Sequence, residues 1–225
     1  MKKVNIVDLG LMGYGEALEI QRKLRDRRIE NTIGDTLLLV EHKPVLTMGR
    51  RGSNENVVAT DLMLRENGID IHWVERGGDV TYHGPGQLVV YPIFNLTGYG
   101  RDIHRFVDNL QNAIIRVLDE GFGIKAKKED GTHTGVYVDD NKIAAIGLAI
   151  RKWVSMHGFA FNINTDLSHF RWIVPCGLSD RGVTSIKELT GREADFGHVK
   201  NMVVAAMEDI YGFEPIYIKI ESLVE

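Results

Sequence analysis

The run His133-Thr-Gly-Val-Tyr-Val138, Asp139-Asp-Asn141, Lys142-Ile-Ala-Ala-Ile-Gly-Leu-Ala-Ile-Arg151, then Val154-Ser-Met-His-Gly-Phe-Ala-Phe-Asn-Ile163, decides the fold class. It holds strand-length segments rich in β-branched and aromatic residues, and the Asp-Asp-Asn turn joins the first two, 133–138 and 142–151, as a hairpin. The third segment, 154–163, follows with no room for a helix between. Working outward, helices are expected at 15–30, at 103–122, where Ile103, Phe106, Leu110, Ile114, Val117 and Phe122 recur at helical spacing, and at 196–211, where Val199, Val203, Ala206 and Ile210 share a face. Further strands fit 36–42, 70–75, 87–96 and 214–220. Strands in succession after residue 124, with helices bunched elsewhere, specify an α+β fold of mixed sheets flanked by helices rather than a regular βαβ alternation. At 225 residues, with no internal repeat, low-complexity tract or linker, residues 1–225 are expected to form a single domain.

Composition narrows the function. Hydrophobic residues at 44% and charged residues at 26% match a soluble globular protein, and a net charge of -4 gives no reason to expect nucleic acid or an anionic membrane as a partner. Met1-Lys2-Lys3 resembles the start of a signal peptide, but Asn5, Asp8, Gly10 and Gly13 interrupt what would be its apolar core, so no secretion signal is expected. A lone cysteine forms no internal disulfide, which suits a reducing cytoplasm.

Chemistry concentrates in two places. Arg76-Gly-Gly-Asp-Val-Thr-Tyr-His-Gly-Pro-Gly-Gln87 spends four glycines and a proline on backbone shape, and lets the main chain approach a ligand closely beside the donors Arg76, Thr81, Tyr82 and His83. It matches neither G-x-G-x-x-G before a helix nor the P-loop pattern; the plain alternative is a β-bulge and turn. Pro175-Cys-Gly177 holds the only thiol. A cysteine is most often a small buried hydrophobe, but flanking proline and glycine place this one on a loop, where reactive groups tend to sit. At an ordinary pKa of about 8.5 only about 3% would be thiolate at pH 7, so a nucleophile needs a base or cation nearby. Lys142, His83 and His157 are candidates. A lysine just after a turn is ordinarily solvated, and a histidine beside glycine is ordinarily structural. No histidine pair has zinc-site spacing and one cysteine cannot build a thiolate cage, so no metal is expected.

With these residues in view, the chain resembles the lipoyl(octanoyl) transferase family, also called lipoate-protein ligase B. The likeness rests on residues 76–87, on Gly135-Val-Tyr137 with Lys142-Ile-Ala-Ala-Ile-Gly147, on His157-Gly-Phe-Ala-Phe-Asn162, and on Pro175-Cys-Gly-Leu178 with Gly182-Val-Thr-Ser185. The resemblance implies a fold similar to the catalytic modules of biotin and lipoate protein ligases. It also implies a reaction: an octanoyl group passes from the phosphopantetheine thioester of acyl carrier protein to a lysine of a lipoyl domain, in 2-oxo acid dehydrogenase subunits or the glycine-cleavage H protein. Cys176 would carry the acyl group and Lys142 would lower its pKa. The acyl chain would lie against Arg76, Gly77, Gly78, Asp79, Val80, Thr81, Tyr82 and His83, against Ala145, Ile146 and Gly147, and against Gly158, Phe159 and Ala160. Neither ATP nor a metal is implied, because exchanging one thioester for another costs little. Backbone N–H groups of Gly77 and Gly78, or beside Cys176, would be the oxyanion donors. A monomer is expected. An acidic carrier would need a local basic surface, for which Arg50, Arg51, Arg151 and Lys152 are the candidates. Two rivals remain: an ATP-dependent lipoate or biotin ligase of the same fold, and a catalytically silent acyl-binding module.

Overall fold

The computed structural model describes residues 1–174 and 182–224. The strands are β1 (Lys2–Met12), β2 (Asp35–His42), β3 (Val45–Met48), β4 (Asp70–Trp73), β5 (Val80–His83), β6 (Gln87–Ile93), β7 (Lys127–Glu129), β8 (Gly135–Val138), β9 (Asn141–Arg151), β10 (Val154–Asn162) and β11 (Phe213–Tyr217). The helices are α1 (Tyr14–Ile29), α2 (Asp61–Glu66), α3 (Ile103–Phe122), α4 (Ile186–Thr190), α5 (Phe196–Tyr211) and α6 (Glu221–Val224).

An eight-stranded sheet runs in the order β11-β1-β2-β6-β10-β9-β8-β7, beside a three-stranded sheet in the order β4-β3-β5. In the large sheet β1 pairs parallel with both β11 and β2, and every later neighbour is antiparallel. The hairpin expected across residues 139–141 is β8–β9, with Val138 opposite Asn141 and Asp139 in the left-handed region at φ 51°.

Side-chain alternation sends the large sheet's apolar residues to both faces. Leu88, Val90, Phe159 and Phe161 join Val4, Ile6, Leu37 and Leu39 under α3 and α5. Val89, Tyr91, Met156 and Ala160 join Val7, Leu38 and Val40 under α1. The small sheet packs Leu46, Met48, Val80 and Tyr82 on Leu64, Ile69, Trp172 and Ile173.

Two helices begin and end where their caps place them. The Asp102 carboxylate accepts the Arg105 N–H at 3.0 Å to start α3, and the Asp195 carboxylate accepts the His198 N–H at 3.0 Å to start α5; Gly123 and Gly212, both at positive φ, stop them. The segment read as broken by polar residues is β1, whose bulge between Asp8 and Leu11 contains Gly10. The segments expected as strands at 70–75, 87–96 and 214–220 end earlier, at Trp73, Ile93 and Tyr217. Among the described residues no helix is long and apolar enough to cross a membrane.

Leu110 is fully buried in the α3 interface, so Leu110→Ala should cost about 2–5 kcal/mol of unfolding free energy, the range for a large-to-small core change. Asp102→Ala should cost only about 0.5–2 kcal/mol, the loss of one cap. Urea unfolding of the two variants separates the contributions, and equal losses would mean that α3 is held by its cap rather than by its packed face.

Candidate active site

A cavity of about 560 Å³ lies between the large sheet and the chain that runs through β5. Its floor is built by the β9–β10 pairing, which sets Ala145 opposite Ala160 and Gly147 opposite Gly158, with Val89 of β6 opposite Ala160 on the other side. Four small residues at paired positions leave a trough where ordinary strand side chains would stand. Gly147 is where the roof rests on the floor: a Cβ there would sit 3.0 Å from the Gly77 carbonyl oxygen and 3.2 Å from Arg76 Cδ. Gly158 is tighter still, because a Cβ would fall 2.0 Å from the Val90 carbonyl oxygen. The roof is also bonded to the floor, with the Gly77 N–H donating to the Leu148 carbonyl at 2.9 Å.

Arg76 holds the roof from within. Its Nη2 donates to the Thr47 carbonyl at 2.6 Å and to Thr47 Oγ1 at 2.8 Å, and its Nη1 donates to the Gly77 carbonyl at 3.1 Å, so a buried guanidinium fixes the turn and puts positive charge beside the cavity. The Asp79 carboxylate works on the backbone: it accepts the Val80 N–H at 2.7 Å and the Asn56 Nδ2 at 2.6 Å. Asn56 in turn accepts the Val174 N–H at 2.9 Å. The chain leading to Pro175 is thus tied to the roof.

On the far side, the Lys142 N–H donates to the Gly182 carbonyl at 3.0 Å and the Lys142 carbonyl accepts the Thr184 N–H at 3.0 Å. The start of β9 is therefore paired with the chain that resumes after residue 181. Lys142 lines the cavity, its Nζ 5.3 Å from the centre of the Tyr137 ring. Cys176 lies outside the described residues, between the two tethers at Val174 and Gly182.

Of the residues expected to face an acyl chain, the cavity is lined by Arg76, Gly77, Gly78, Asp79, Val80, Thr81, His83, Ala145, Ile146, Gly147, Gly158, Phe159 and Ala160. Tyr82 is the exception. Its ring lies in the core of the small sheet, 1% exposed, where its hydroxyl meets His169 Nδ1 at 2.9 Å. The Gly77 N–H, expected as an oxyanion donor, is already committed to Leu148.

Sequence reading missed Tyr14, Gln87, Val89, Tyr91 and Asn162 as cavity residues. Gln87, Val89 and Tyr91 share one face of β6 by their spacing, a signal present in the sequence; Tyr14 reaches the cavity only through the docking of α1 on the sheet.

The imidazoles here are neutral. His83 donates through Nδ1 to Gln87 Oε1 at 2.7 Å, and its burial pushes its pKa well below the ordinary histidine value. Burial also lowers His157, although Glu75 Oε2 lies 3.9 Å from its Nε2 and opposes that shift. His157 further sits in the left-handed region at φ 59°, with its N–H given to Gln21 Oε1 at 3.0 Å. His42, under the cavity wall, is lowered by burial to about 4, bonding Met12 through Nδ1 and Tyr91 through Nε2. Burial raises Tyr14 to about 12. Neither histidine named beside Lys142 as a possible partner for the thiol is charged near neutral pH. Among the described residues the lysine and arginines at the cavity are Lys142, Arg50, Arg51 and Arg76. Among the described residues no group of three or more His, Cys, Asp or Glu is placed to hold a metal ion.

Comparison with known proteins agrees with this architecture. The octanoyltransferase of Caldicellulosiruptor bescii is 51% identical over 209 residues, 93% of this chain and 92% of that protein. The octanoyltransferase of Alkaliphilus metalliredigens is 47% identical over 214 residues, covering 95% and 97%. Among solved structures, the bi-partite lipoate protein ligase of Thermoplasma acidophilum superposes with a TM-score of 0.74 at 17% identity, covering 100% of this chain and 91% of that one. The biotin protein ligase of Aquifex aeolicus with biotin and ATP gives 0.56 at 16%, covering 94% and 71%, so these two ligases share the fold. The Lipoyl protein ligase A/B catalytic domain matches residues 13–208, and the chain belongs to that family.

Proposed function

We propose that the trough holds an octanoyl chain, that Cys176 carries it as a thioester, and that Lys142 moves the protons of both half-reactions. The enzyme is an acyltransferase that moves octanoyl groups for protein lipoylation. The observation that carries the proposed mechanism is the pairing of Lys142 with residues 182–184 at one end of a trough floored by alanine and glycine.

The chemistry balances with these groups alone. The Cys176 thiolate, favoured by the Lys142 ammonium, attacks the donor thioester carbonyl; as the tetrahedral intermediate collapses, the carbon–sulfur bond to pantetheine breaks and Lys142 protonates the departing sulfur. Lys142 is then neutral. The acceptor lysine enters as the free amine, attacks the Cys176 thioester and gives its proton to Lys142, while the thiolate leaves and the starting ion pair is restored. Because thiol and amine titrate against each other, their apparent pKa values belong to the pair. The amide product is far more stable than a thioester, so the proposal includes no ATP and no metal. The donor is octanoyl-acyl carrier protein and the acceptor a lipoyl domain, met by a monomer in the cytoplasm. Oxyanion donors are sought at Gly78 or beside Cys176.

Mixing the protein with octanoyl-carrier protein should add one octanoyl group to its intact mass, labile to hydroxylamine and absent in Cys176→Ser. Labelling of Cys176→Ser at the wild-type rate would remove Cys176 from the mechanism, and ATP-dependent transfer by Cys176→Ala would select the ligase reading.

Lys142→Met keeps most of the stem volume, so stability should change little while acylation slows by roughly 10²–10⁴-fold, the range for a general acid–base group. The apparent thiol pKa from alkylation against pH should rise in this variant. An unchanged profile would mean that Lys142 does not stabilise the thiolate.

Arg50 and Arg51 are exposed at the cavity, their backbone N–H groups bonded to the Arg76 and Gly78 carbonyls at 3.0 Å, whereas Arg151 lies 3.5 Å from Asp26. Reversing Arg50 and Arg51 to Glu should slow reaction with octanoyl-carrier protein and weaken its salt dependence, since steering by exposed charge is screened by ions. Octanoyl-pantetheine, with no acidic protein attached, should react nearly as before. Equal losses on both donors would place the two arginines in the pocket rather than at a docking surface.

A further inference from the structure

A line of buried polar side chains borders the cavity and reaches the backbone of Lys142. Gln87 opens β6 and Asn162 closes β10, and the two stand opposite each other in the antiparallel register. They are 2% and 4% exposed. Gln87 Nε2 lies 3.2 Å from the Tyr82 carbonyl oxygen and 2.9 Å from Asn162 Oδ1; a carbonyl only accepts, so this atom is the amide nitrogen and Oε1 is left to accept from His83 Nδ1 at 2.7 Å. Asn162 then has a single consistent orientation, with its Nδ2 donating to the Thr184 carbonyl at 3.0 Å. Thr184 in turn gives its N–H to the Lys142 carbonyl. The orientation of every member is fixed by its neighbours, from the His83 ring at the cavity wall to the backbone of Lys142.

We propose that Asn162, oriented by Gln87, is a positioning residue that sets Lys142 and the chain following Cys176 in register with the cavity floor. The inference rests on the reading of Cys176 and Lys142 given above. Residues 182–184 pair with β9 only around Lys142, in a short parallel bridge that an isolated stretch of chain would not hold for long. Asn162 supplies the side-chain bond that ties this bridge to a central strand of the large sheet. It is matched at the other tether by Asp79 and Asn56, which hold Val174. A thiol and an amine on separate segments react as a pair only if both segments are referred to the same frame, and a shift of about 1 Å costs on the order of 10²-fold in rate.

The test compares Asn162→Ala, Gln87→Glu and Lys142→Met with wild type, using octanoyl-pantetheine so that carrier docking plays no part. Gln87→Glu keeps the shape and the acceptor for His83 but has no proton for Asn162 Oδ1, and it carries the test if Asn162→Ala does not fold. Both variants should lower the acylation kcat by roughly 10- to 100-fold while KM stays within about threefold, and should raise the apparent thiol pKa in the alkylation profile. Hydrogen exchange at the Thr184 N–H should quicken in both. A rise in KM at constant kcat would make these side chains direct contacts of the acyl chain and overturn the positioning role, as would a wild-type kcat and pH profile. A slow Lys142→Met beside a wild-type Asn162→Ala would sink this proposal alone. A wild-type Lys142→Met would instead overturn the reading on which it rests.

Discussion

The pairing of β9 with β10 governs this molecule, because it decides what is missing from the middle of the sheet. Two strands that are elsewhere packed with branched and aromatic side chains meet at Ala145 with Ala160 and at Gly147 with Gly158. At Ala145 and Ala160 a larger apolar side chain would fill the trough, and the alanines forgo that burial at about 25 cal/mol for each Å² of apolar surface; at Gly147 and Gly158 even a Cβ would meet the Gly77 or the Val90 carbonyl oxygen. The sheet compensates on its other face, where Phe159 and Phe161 are buried beneath α3 and α5. The trough therefore depends on a well-packed opposite side, and the roof depends on the trough, since the Gly77 N–H reaches Leu148 only because Gly147 lets Arg76 come close.

Electrostatics at the cavity follow from the same burial. Burial lowers the pKa of His83 and His157, so among the described residues positive charge at the cavity rests chiefly on guanidinium and ammonium groups. Their division of labour follows from where each is held. Arg76 is spent on Thr47 and the Gly77 carbonyl and shapes the roof. Lys142 sits at the start of a strand, joined through its backbone to the segment after Cys176. A lysine can give up and regain a proton, whereas an arginine keeps its charge throughout. Of these two, the lysine suits the proposed step in which a sulfur leaves and an amine arrives.

The readable parts of the sequence were those in which a local rule and the global fold agree. The α3 and α5 boundaries were legible to the residue because an aspartate cap, a helical apolar stripe and a terminal glycine all mark the same ends. The β8–β9 hairpin was legible for similar reasons. β1 was hidden because Asn5 and Asp8 interrupt its apolar pattern and Gly10 belongs to a bulge; its parallel pairing on both sides is a tertiary fact that no window of sequence contains. β5 was hidden inside a segment whose glycines read as loop. At the site, residues 76–81, 83, 145–147 and 158–160 line the cavity, while the Tyr82 ring lies in the core of the small sheet. Gln87 and Asn162 stayed invisible as a pair, because they lie 75 residues apart and meet only through the register of β6 with β10.

Ligases that use ATP and a transferase that, as proposed, needs only a thioester can share this fold because the sheet supplies a trough and leaves activation to the segments around it. In a ligase the energy for the amide enters with the nucleotide. In the reaction proposed for this chain it arrives already stored in the donor thioester, so the protein would have only to keep that bond from water and bring two nucleophiles to it in turn. The first requirement is met by the roof from Arg76 to Gly78 resting on β9. For the second, the described chain on either side of residues 175–181 is anchored, at Val174 through Asn56 and the Asp79 carboxylate and at Thr184 through Asn162. On the proposed mechanism the difference between transfer and ligation lies in the segments around the sheet rather than in the sheet itself, which fits ligase structures that share the fold at 16–18% identity.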